Sequence, residues 1–374
     1  RMPKPSAILE DALQRAARSL EHDDVIPTSN IQSRAHYIVN CSTKSGIRAI
    51  LACALAKALN PSIDIRKPYT EIGTEDSYSG RTIDEAHIEP FVMERDLPAN
   101  QTTAWLTPAF RTNSDPLTPD TKLIGKPAKL YETVIDLLND VHQGKITAED
   151  TLAAMFREML LLKAKRDKRL SDLLEEVGES DEKIGLSSEE IVDLIQQHLN
   201  APKSSRLPVL VVAAAYQAAE QNLGESIKDL HSHNAPDAQT GALGDVEITL
   251  SGTDGIVTSY EMKAQEVKKE DITKAIKKIN NYSDTVDNYI FITTKSINPD
   301  VQNYAKNLYR DLGGIEIAIL DCIGFLRHFL HLFHRLRIDF LDAYQALLLD
   351  QPDASVPQAL KEVFLSLRSA MEEV

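Results

Sequence analysis

Two acidic residues and a lysine stand in neighbouring segments that are both predicted to be strands. Glu261 and Lys263 lie two residues apart in segment 260–264, so an extended chain would present them on the same face. Asp245 lies in the preceding segment, 244–248, and a turn-rich stretch joins the two. If the segments pair as a hairpin, Asp245 can face the same way, and two carboxylates and an ammonium group converge.

Such a cluster has the groups that metal-dependent phosphodiester hydrolysis requires. Carboxylate oxygens are hard ligands that suit Mg²⁺, which keeps several of its waters and contacts the substrate phosphate. The metal lowers the pKa of a bound water and offsets charge that develops in the transition state. A nearby lysine can hold or deprotonate the attacking water, or stabilise charge on the phosphate oxygens. We therefore expect Asp245 and Glu261 to bind Mg²⁺ and Lys263 to assist.

The flanking elements predict an α+β fold. An Ala-rich helix is predicted over 208–230, and apolar residues at helical spacing predict an amphipathic helix over 270–279. A buried strand is predicted at 288–294, a helix at 299–312 and another buried strand at 315–320. The predicted order is helix, strand, strand, helix, strand, helix, strand.

This order, with an acid on one strand and Glu-x-Lys on the next, resembles the PD-(D/E)xK nuclease superfamily over residues 208–320. More narrowly, the chain resembles type II restriction endonucleases of the SacI family, on segments 66–72, 77–82 and 237–245. The resemblance implies a central mixed sheet flanked by helices. It also implies that Asp245 and Glu261 are metal ligands, that Lys263 is the catalytic lysine and that Mg²⁺ is the cofactor.

Some alternatives for the metal ligands stay open. Gly244 precedes Asp245 where the family motif has proline, and the literal Pro-Asp pair makes Asp237 a rival. Glu247 shares the face of Asp245, and Glu220 lies on the preceding helix, from which such families often take a carboxylate. A plain alternative is a solvated strand face with a cross-strand ion pair, which contributes only about 0.2–1 kcal/mol.

Charge and composition limit the class of protein. The formal net charge of −15 argues against an obvious nucleic-acid binder, although residues 263–278 form a locally lysine-rich stretch beside the expected site. No apolar run is long enough to span a bilayer. The three cysteines are scattered without metal-like spacing, as expected in a reducing compartment such as the bacterial cytoplasm.

The chain is long enough for two domains or one large one. A helical region to about residue 59, including a helix over 46–59, precedes a stretch over 63–129 rich in Pro, Thr, Ser and Gly. That stretch predicts loops and short strands rather than helices. Helical patterns resume over 131–199, and 200–205 is the expected boundary. We expect a helical, loop-rich recognition region at 1–200, a nuclease core at 201–320 and a helical segment packed on the core at 321–374.

The loop-rich stretch supplies the side chains that suit DNA contacts. Arginine pairs with guanine and asparagine with adenine, while lysine and serine contact phosphates. The candidates are Arg66, Lys67, Ser79, Arg81, Arg111 and Asn113. For Arg81, an equally good alternative is an ion pair with Asp84 or Glu85 that stabilises a turn.

Together these expectations describe a type II restriction endonuclease that hydrolyses double-stranded DNA at a specific sequence. Cutting both strands of a palindrome requires two sites related by a two-fold axis, so a homodimer is expected. A cognate DNA methyltransferase is the implied partner system. The competing hypotheses are a structure-selective repair or recombination nuclease and a catalytically inactive DNA-binding protein.

Overall fold

The computed structural model describes residues 4–22, 25–27, 31–100, 110, 113–177, 185–231 and 241–373. The chain folds into two compact units, Arg1–Arg169 and Leu170–Val374. The division lies ahead of the link at 200–205 that the sequence singles out. It falls inside one long helix, Ala148–Glu176, which has no Gly or Pro to mark the change.

All the regular secondary structure in the described residues of unit one is helical. Its core surrounds a helix in which every residue from 46 to 56 is buried, because that helix, apart from Arg48, is apolar on all sides rather than along one stripe. The predicted helix over 46–59 is thus confirmed, beginning one residue earlier. The longer helices are α1 (Pro5–Ser19), α2 (Ile31–Asn40), α3 (Ser45–Leu59), α6 (Ala128–His142) and α7 (Ala148–Glu176).

The expectation of loops and short strands over 63–129 is wrong for part of that stretch. Two short helices, α4 (Gly80–Ile83) and α5 (Glu89–Glu94), flank a π-helical turn at Asp84–Ile88, and the described residues of this stretch contain no strand. The π turn already interrupts the regular hydrogen-bond ladder, so a proline at the start of α5 is tolerated. Arg48 of α3 holds the turn through two hydrogen bonds to the buried Asp84, at 2.9 and 2.7 Å.

Unit two is built on a five-stranded mixed sheet in the order β1-β2-β3-β4-β5. The β1–β2 and β2–β3 pairs are antiparallel, and the β3–β4 and β4–β5 pairs are parallel. Parallel neighbours need crossover connections, and helices α10 (Lys269–Asn281) and α11 (Pro299–Asn307) provide them. The strands are β1 (Glu225–Ile227), β2 (Val246–Leu250), β3 (Ile256–Lys263), β4 (Asn288–Thr293) and β5 (Glu316–Asp321).

The first of these strands corrects the predicted helix over 208–230. Helix α9 (Leu207–Leu223) ends at Gly224, whose φ of 68° gives the left-handed cap that only glycine adopts readily. The chain then enters β1, which pairs with β2 at the edge of the sheet. Helix α11 likewise ends at Asn307 rather than at residue 312. The predicted α+β class, with a mixed sheet flanked by helices, is confirmed.

Each face of the sheet has its own hydrophobic core. Val246, Ile248 and Tyr260 belong to a cluster with α9 and with α8 (Ser188–Leu199). Residues of opposite parity, such as Tyr289 and Phe291, pack with α10 and α11 instead. Because strand side chains alternate between faces, Glu261 and Lys263 lie on the α10 side.

The C-terminal helices belong to the first of these cores. They are α12 (Cys322–Leu332), α13 (Arg337–Asp350) and α14 (Gln358–Glu372). His198 of α8 joins them, since its Nδ1 lies 2.9 Å from the Tyr344 hydroxyl and its Nε2 lies 2.8 Å from the Leu360 carbonyl oxygen. Within the described ranges, no helix combines the length and apolar character needed to cross a bilayer.

All three cysteines are buried as free thiols. Cys41 and Cys53 lie in unit one and Cys322 lies in unit two. Burial raises the pKa of Cys53 to about 12 and that of Cys322 to about 12, because an apolar surrounding disfavours the thiolate.

Candidate active site

The β2–β3 hairpin brings the first predicted acid to the second. Val246 pairs with Tyr260 in this antiparallel ladder, so the residue before Val246 reaches the residue after Tyr260. The Asp245 backbone N–H donates to the Tyr260 carbonyl oxygen at 2.8 Å. Its side-chain Oδ2 accepts from the Met262 N–H at 2.7 Å, which holds the Asp245 carboxylate against the backbone that carries Glu261.

Gly244 makes this close approach possible. A Cβ at this position would lie 2.3 Å from the Ser259 Oγ and 2.6 Å from the Tyr260 carbonyl oxygen. Both distances are far below van der Waals contact, and a backbone carbonyl cannot swing away. The departure from the Pro-Asp pattern therefore has a steric cause, since any side chain at residue 244 would push β2 away from β3.

The Glu261 carboxylate is surrounded by cationic and hydroxyl donors. Lys263 Nζ lies 3.0 Å from its Oε1, and Lys278 Nζ, from α10, lies 3.0 Å from its Oε2. The Tyr289 hydroxyl on the neighbouring strand also donates to Oε2. Only 16% of the Glu261 side chain is exposed, so these partners largely replace its hydration.

Lys263 is held between two carboxylates. Besides Glu261 it contacts Asp271 Oδ1 at 3.2 Å, and Asp271 is itself fixed because its Oδ2 accepts the Lys268 N–H at the start of α10. Burial disfavours the charged ammonium group, but the charges and hydrogen bonds of Glu261 and then Asp271 outweigh it and raise the pKa of Lys263. Lys263 is therefore an ammonium group at neutral pH.

Asp245 lies in a mixed electrostatic environment. Burial is the largest influence and raises the pKa of Asp245, and the negative charge of Glu261 adds to it. The Met262 N–H, Arg206 and Lys278 act in the opposite direction without cancelling it. The site thus holds two acids whose joint ionisation is costly and which cationic neighbours partly compensate.

Arg206 is the least expected member of this environment. It precedes α9 and is only 3% exposed, and burial lowers its pKa while the charge of Asp245 opposes that shift. Its guanidinium donates to the His231 carbonyl oxygen at 2.9 Å and to Gln351 Oε1 at 3.2 Å. A buried cation thereby ties the start of α9 to the segment that leads towards Asp245.

Glu247 and Glu220, the two other predicted metal ligands that the structure describes, have surroundings different from those of Asp245 and Glu261. Glu247 is 4% exposed, and its carboxylate accepts the Leu243 N–H at 3.0 Å and contacts His231 Nε2 at 2.9 Å. Glu220 lies on α9, which packs on the sheet face opposite the Glu261 side chain. Asp237 lies outside the described residues. Ligand roles for these three remain predictions, and the geometry favours Asp245 with Glu261.

The predicted DNA-contacting residues all belong to unit one, and the cations among those described have acidic partners. Arg66 pairs with Asp64 at 2.8 Å and Lys67 pairs with Asp76 at 2.8 Å. Arg81 pairs with Glu85 at 2.7 Å, which is the alternative that the sequence offered. Both side chains of the Arg81–Glu85 pair are exposed, so replacing this ion pair with a contact to a DNA phosphate or base would cost little free energy.

The polar residues of the same group form hydrogen bonds with backbone groups three residues away. The Ser79 hydroxyl accepts the Thr82 N–H at 3.2 Å and so caps α4. Asn113 Nδ2 donates to the Phe110 carbonyl oxygen at 3.4 Å. Arg111 lies outside the described residues. DNA contacts by this group remain predictions.

Sequence reasoning missed four members of the site, namely Arg206, Asp271, Lys278 and Tyr289. Lys278 is one of several lysines on α10, and only the orientation of the helix distinguishes it from its neighbours. Tyr289 was recognised as part of a buried strand, but its approach to Glu261 depends on the β3–β4 register, which pairs Tyr289 with Ser259, two residues before Glu261 on the same face. For Arg206 and Asp271 the sequence carries no distinguishing signal.

The segment that contains this site matches a known protein family. Residues 183–294 match the family model of the SacI restriction endonuclease C-terminal domain. The chain carries a SacI-family restriction endonuclease domain. The predicted resemblance to the SacI family is thus confirmed, and the matched segment runs from before α8 to just past β4, so it contains Asp245, Glu261 and Lys263. No curated protein matches the chain.

Proposed function

We propose that this protein is a type II restriction endonuclease of the PD-(D/E)xK superfamily, which uses Mg²⁺ to hydrolyse double-stranded DNA at a specific sequence. The observation that carries the proposal is the meeting of Asp245, Glu261 and Lys263 on one hairpin within the SacI-type domain. A solvated strand face would not explain a carboxylate that is mostly buried and bound by two lysines and a tyrosine.

The donor set fits Mg²⁺. In the part of the chain that the structure describes, no group of three or more His, Cys, Asp or Glu residues could hold a metal ion. Mg²⁺ needs no such cage, because it is usually bound by one or two carboxylates with waters and substrate phosphate completing the shell. Asp245 and Glu261 form such a pair, and a dication would relieve the repulsion that contributes to the raised pKa of Asp245. When bound, Mg²⁺ would activate a water and offset the charge on the phosphate.

Lys263 is a cation before metal binds. A lysine whose pKa is raised keeps its proton at neutral pH, so it can donate to the phosphate oxygens or hold the attacking water. Asp271 keeps the ammonium group in place from a second side, which limits the reorganisation needed when DNA binds.

The substrate and the assembly follow from this assignment. Double-stranded DNA is the substrate, and a homodimer places two sites on a palindrome. The loop-rich part of unit one, with Arg66, Lys67, Ser79, Arg81, Arg111 and Asn113, supplies the sequence recognition. A DNA methyltransferase of the same system protects the host genome, and the bacterial cytoplasm is the site of action.

Digestion of a fully sequenced plasmid with purified protein and Mg²⁺ tests the proposal. Discrete fragments are expected, and Lys263→Ala or Asp245→Asn should lower the cleavage rate by at least about 100-fold, because each removes a group that acts on the transition state. Glu270→Gln, an exposed charge change on α10, is the matched control and should leave cleavage unchanged.

The same assay separates the competing functions. Preferential cutting of branched substrates would point to a repair or recombination nuclease. DNA binding without cleavage of any substrate by the wild-type protein would point to an inactive binding protein, and either outcome would overturn the proposal.

A further inference from the structure

Glu247 lies on the same face of the sheet as Asp245 and Glu261, two residues along the β2–β3 hairpin. It pairs with Ser259 across β2 and β3, and Ser259 pairs with Tyr289 across β3 and β4. Because side chains two residues apart on a strand share a face, these three residues form a row that adjoins the two acids of the site. Glu247 is 4% exposed, and Ser259 and Tyr289 are fully buried. The row is therefore packed against the site without being open to solvent.

Both carboxylate oxygens of Glu247 are engaged within the fold. Oε2 accepts the Leu243 N–H at 3.0 Å, and Oε1 lies 2.9 Å from His231 Nε2. The bond to Leu243 spans four residues, and Asp245 lies midway between its two ends. It therefore fixes the chain on both sides of Asp245. Metal binding by the Glu247 oxygens would compete with both of these contacts.

His231 is itself held from another direction. The buried guanidinium group of Arg206 donates to the His231 carbonyl oxygen at 2.9 Å, while the His231 ring contacts Glu247. Glu247 is thereby linked to the start of α9 as well as to its own strand. Two separate contacts thus fix the position of its carboxylate group.

Leu243 connects Glu247 to the second acid of the site. The Tyr289 hydroxyl lies 3.1 Å from the Leu243 carbonyl oxygen and also contacts Glu261 Oε2. A hydroxyl group has one proton to donate, so these two acceptors share it. The position of Leu243 therefore influences how the Tyr289 hydroxyl meets Glu261. One buried acid thus acts on Asp245 through the main chain and on Glu261 through Leu243 and Tyr289.

We infer that Glu247 is a positioning residue, which holds Asp245 and Glu261 in the geometry that binds the metal, and that it is not itself a metal ligand. The inference rests on the proposed function, because it names the residue that holds the two acids of that function in place. Groups that hold metal ligands in position typically contribute about 10–100-fold to metal affinity or activity.

Two conservative variants separate a positioning role from a ligand role. Glu247→Gln keeps the length of the side chain, so its amide oxygen can still accept the Leu243 N–H and its amide N–H can donate to His231, but the charge is lost. Glu247→Asp keeps the charge but is shorter by about 1.5 Å, so it cannot reach both partners without moving the chain. A positioning role requires the reach of the side chain, whereas a metal ligand requires its charge.

The plasmid cleavage rate and the Mg²⁺ affinity of the DNA-free protein, measured by isothermal titration calorimetry, are the main measurements. Glu247→Gln should stay close to the wild type in both, and Glu247→Asp should lower both by about 10–100-fold. Amide hydrogen exchange at Leu243 tests the contact without metal or DNA. It should be slow in the wild type and in Glu247→Gln, and faster in Glu247→Asp.

Glu316→Gln and Glu316→Asp are the matched controls. Glu316 is an exposed acid at the start of β5, and the same two changes there should alter neither cleavage nor Mg²⁺ affinity. Thermal unfolding followed by circular dichroism confirms that the variants are folded.

The order of the two Glu247 variants decides the inference. It is overturned, with the proposed function intact, if Glu247→Gln is impaired at least as much as Glu247→Asp, or if Glu247→Asp behaves like the wild type. Should Glu247→Asp not fold, Glu247→Gln alone decides, since retained Mg²⁺ affinity supports positioning and its loss overturns it. A wild type that cuts no DNA would instead overturn the proposed function.

Discussion

At the scale of single residues, the two negative charges of the site are matched by two positive charges before any metal binds. Asp245 and Glu261 contribute the negative charges, while Lys263 and Lys278 contact Glu261 from two sides. An incoming cation must compete with these ammonium groups for the same oxygens. Lys278 contacts the oxygen that Lys263 does not, so its removal would free one Glu261 oxygen while Lys263 stays in place.

Replacing Lys278 should therefore tighten metal binding. We expect Lys278→Gln to raise the affinity of the DNA-free protein for Mg²⁺ by roughly tenfold, which corresponds to about 1.4 kcal/mol, because the variant removes a positive charge that repels the dication and competes for the Glu261 carboxylate. Isothermal titration calorimetry measures the affinity. Lys277→Gln, the adjacent exposed lysine on α10, makes the same change in net charge and should have little effect. Equal responses from both variants would rule out a local competition.

The sequence was sufficient to predict that Asp245, Glu261 and Lys263 come together, because strand alternation fixes which residues share a face. It was not sufficient to find their partners. Lys278, Tyr289 and Arg206 reach the site from three other elements, and their positions depend on helix orientation, strand register and burial. The steric reason for Gly244 was equally hidden, since it depends on the distance to the Tyr260 carbonyl oxygen in the paired strand.

At the scale of elements, one buried histidine joins three helices of unit two. His198 is fully buried, and its two ring nitrogens contact Tyr344 of α13 and Leu360 of α14. Burial is the main cause that lowers the pKa of His198 to about 4, although the Leu360 carbonyl oxygen acts in the opposite direction. The neutral ring is the form that the fold accommodates.

Acid should therefore weaken this part of the fold in a defined pH window. The unfolded chain binds a proton at the ordinary histidine pKa near 6.5, so the contribution of His198 is fully present above that pH and is lost as the pH falls towards about 4. The loss amounts to about 3 kcal/mol. Urea unfolding at a series of pH values measures it, and His198→Gln should flatten the dependence between those limits. A variant with the same slope as the wild type would show that other groups cause it.

The prediction of helices and strands failed where contacts between residues distant in sequence overrode the local sequence signals. Helix α9 was extended too far because its sequence stays compatible with a helix after Gly224, whereas pairing with β2 turns the next residues into β1. The short helices α4 and α5 were missed because prolines and polar residues suggest loops. A buried ion pair between Arg48 and Asp84 stabilises them, and such a contact joins residues far apart in sequence.

At the scale of the whole molecule, each unit has its own hydrophobic core. The buried residues of unit one form one cluster, and those of unit two form a cluster on each face of the sheet. The fold class followed from the order of predicted elements. The boundary between the units falls inside the uninterrupted helix α7, where no linker composition marks it.

A fragment comprising residues 170–374 should consequently fold by itself. Its two cores and complete sheet lie within that range, so a cooperative thermal transition is expected by circular dichroism. The fragment should lose site-specific cleavage, since the predicted recognition residues are in unit one. A broad, non-cooperative transition would show that unit two depends on the remainder of the chain.

Each unit contains at least one buried thiol, whose alkylation would report the opening of that unit. A thiolate is the reactive form, so Cys53 and Cys322 should resist alkylation until their surroundings open. Alkylation rates read out by peptide mass spectrometry would then give a separate opening free energy for each half of the enzyme. Cys41 supplies an internal check on the first of these, and no label has to be introduced.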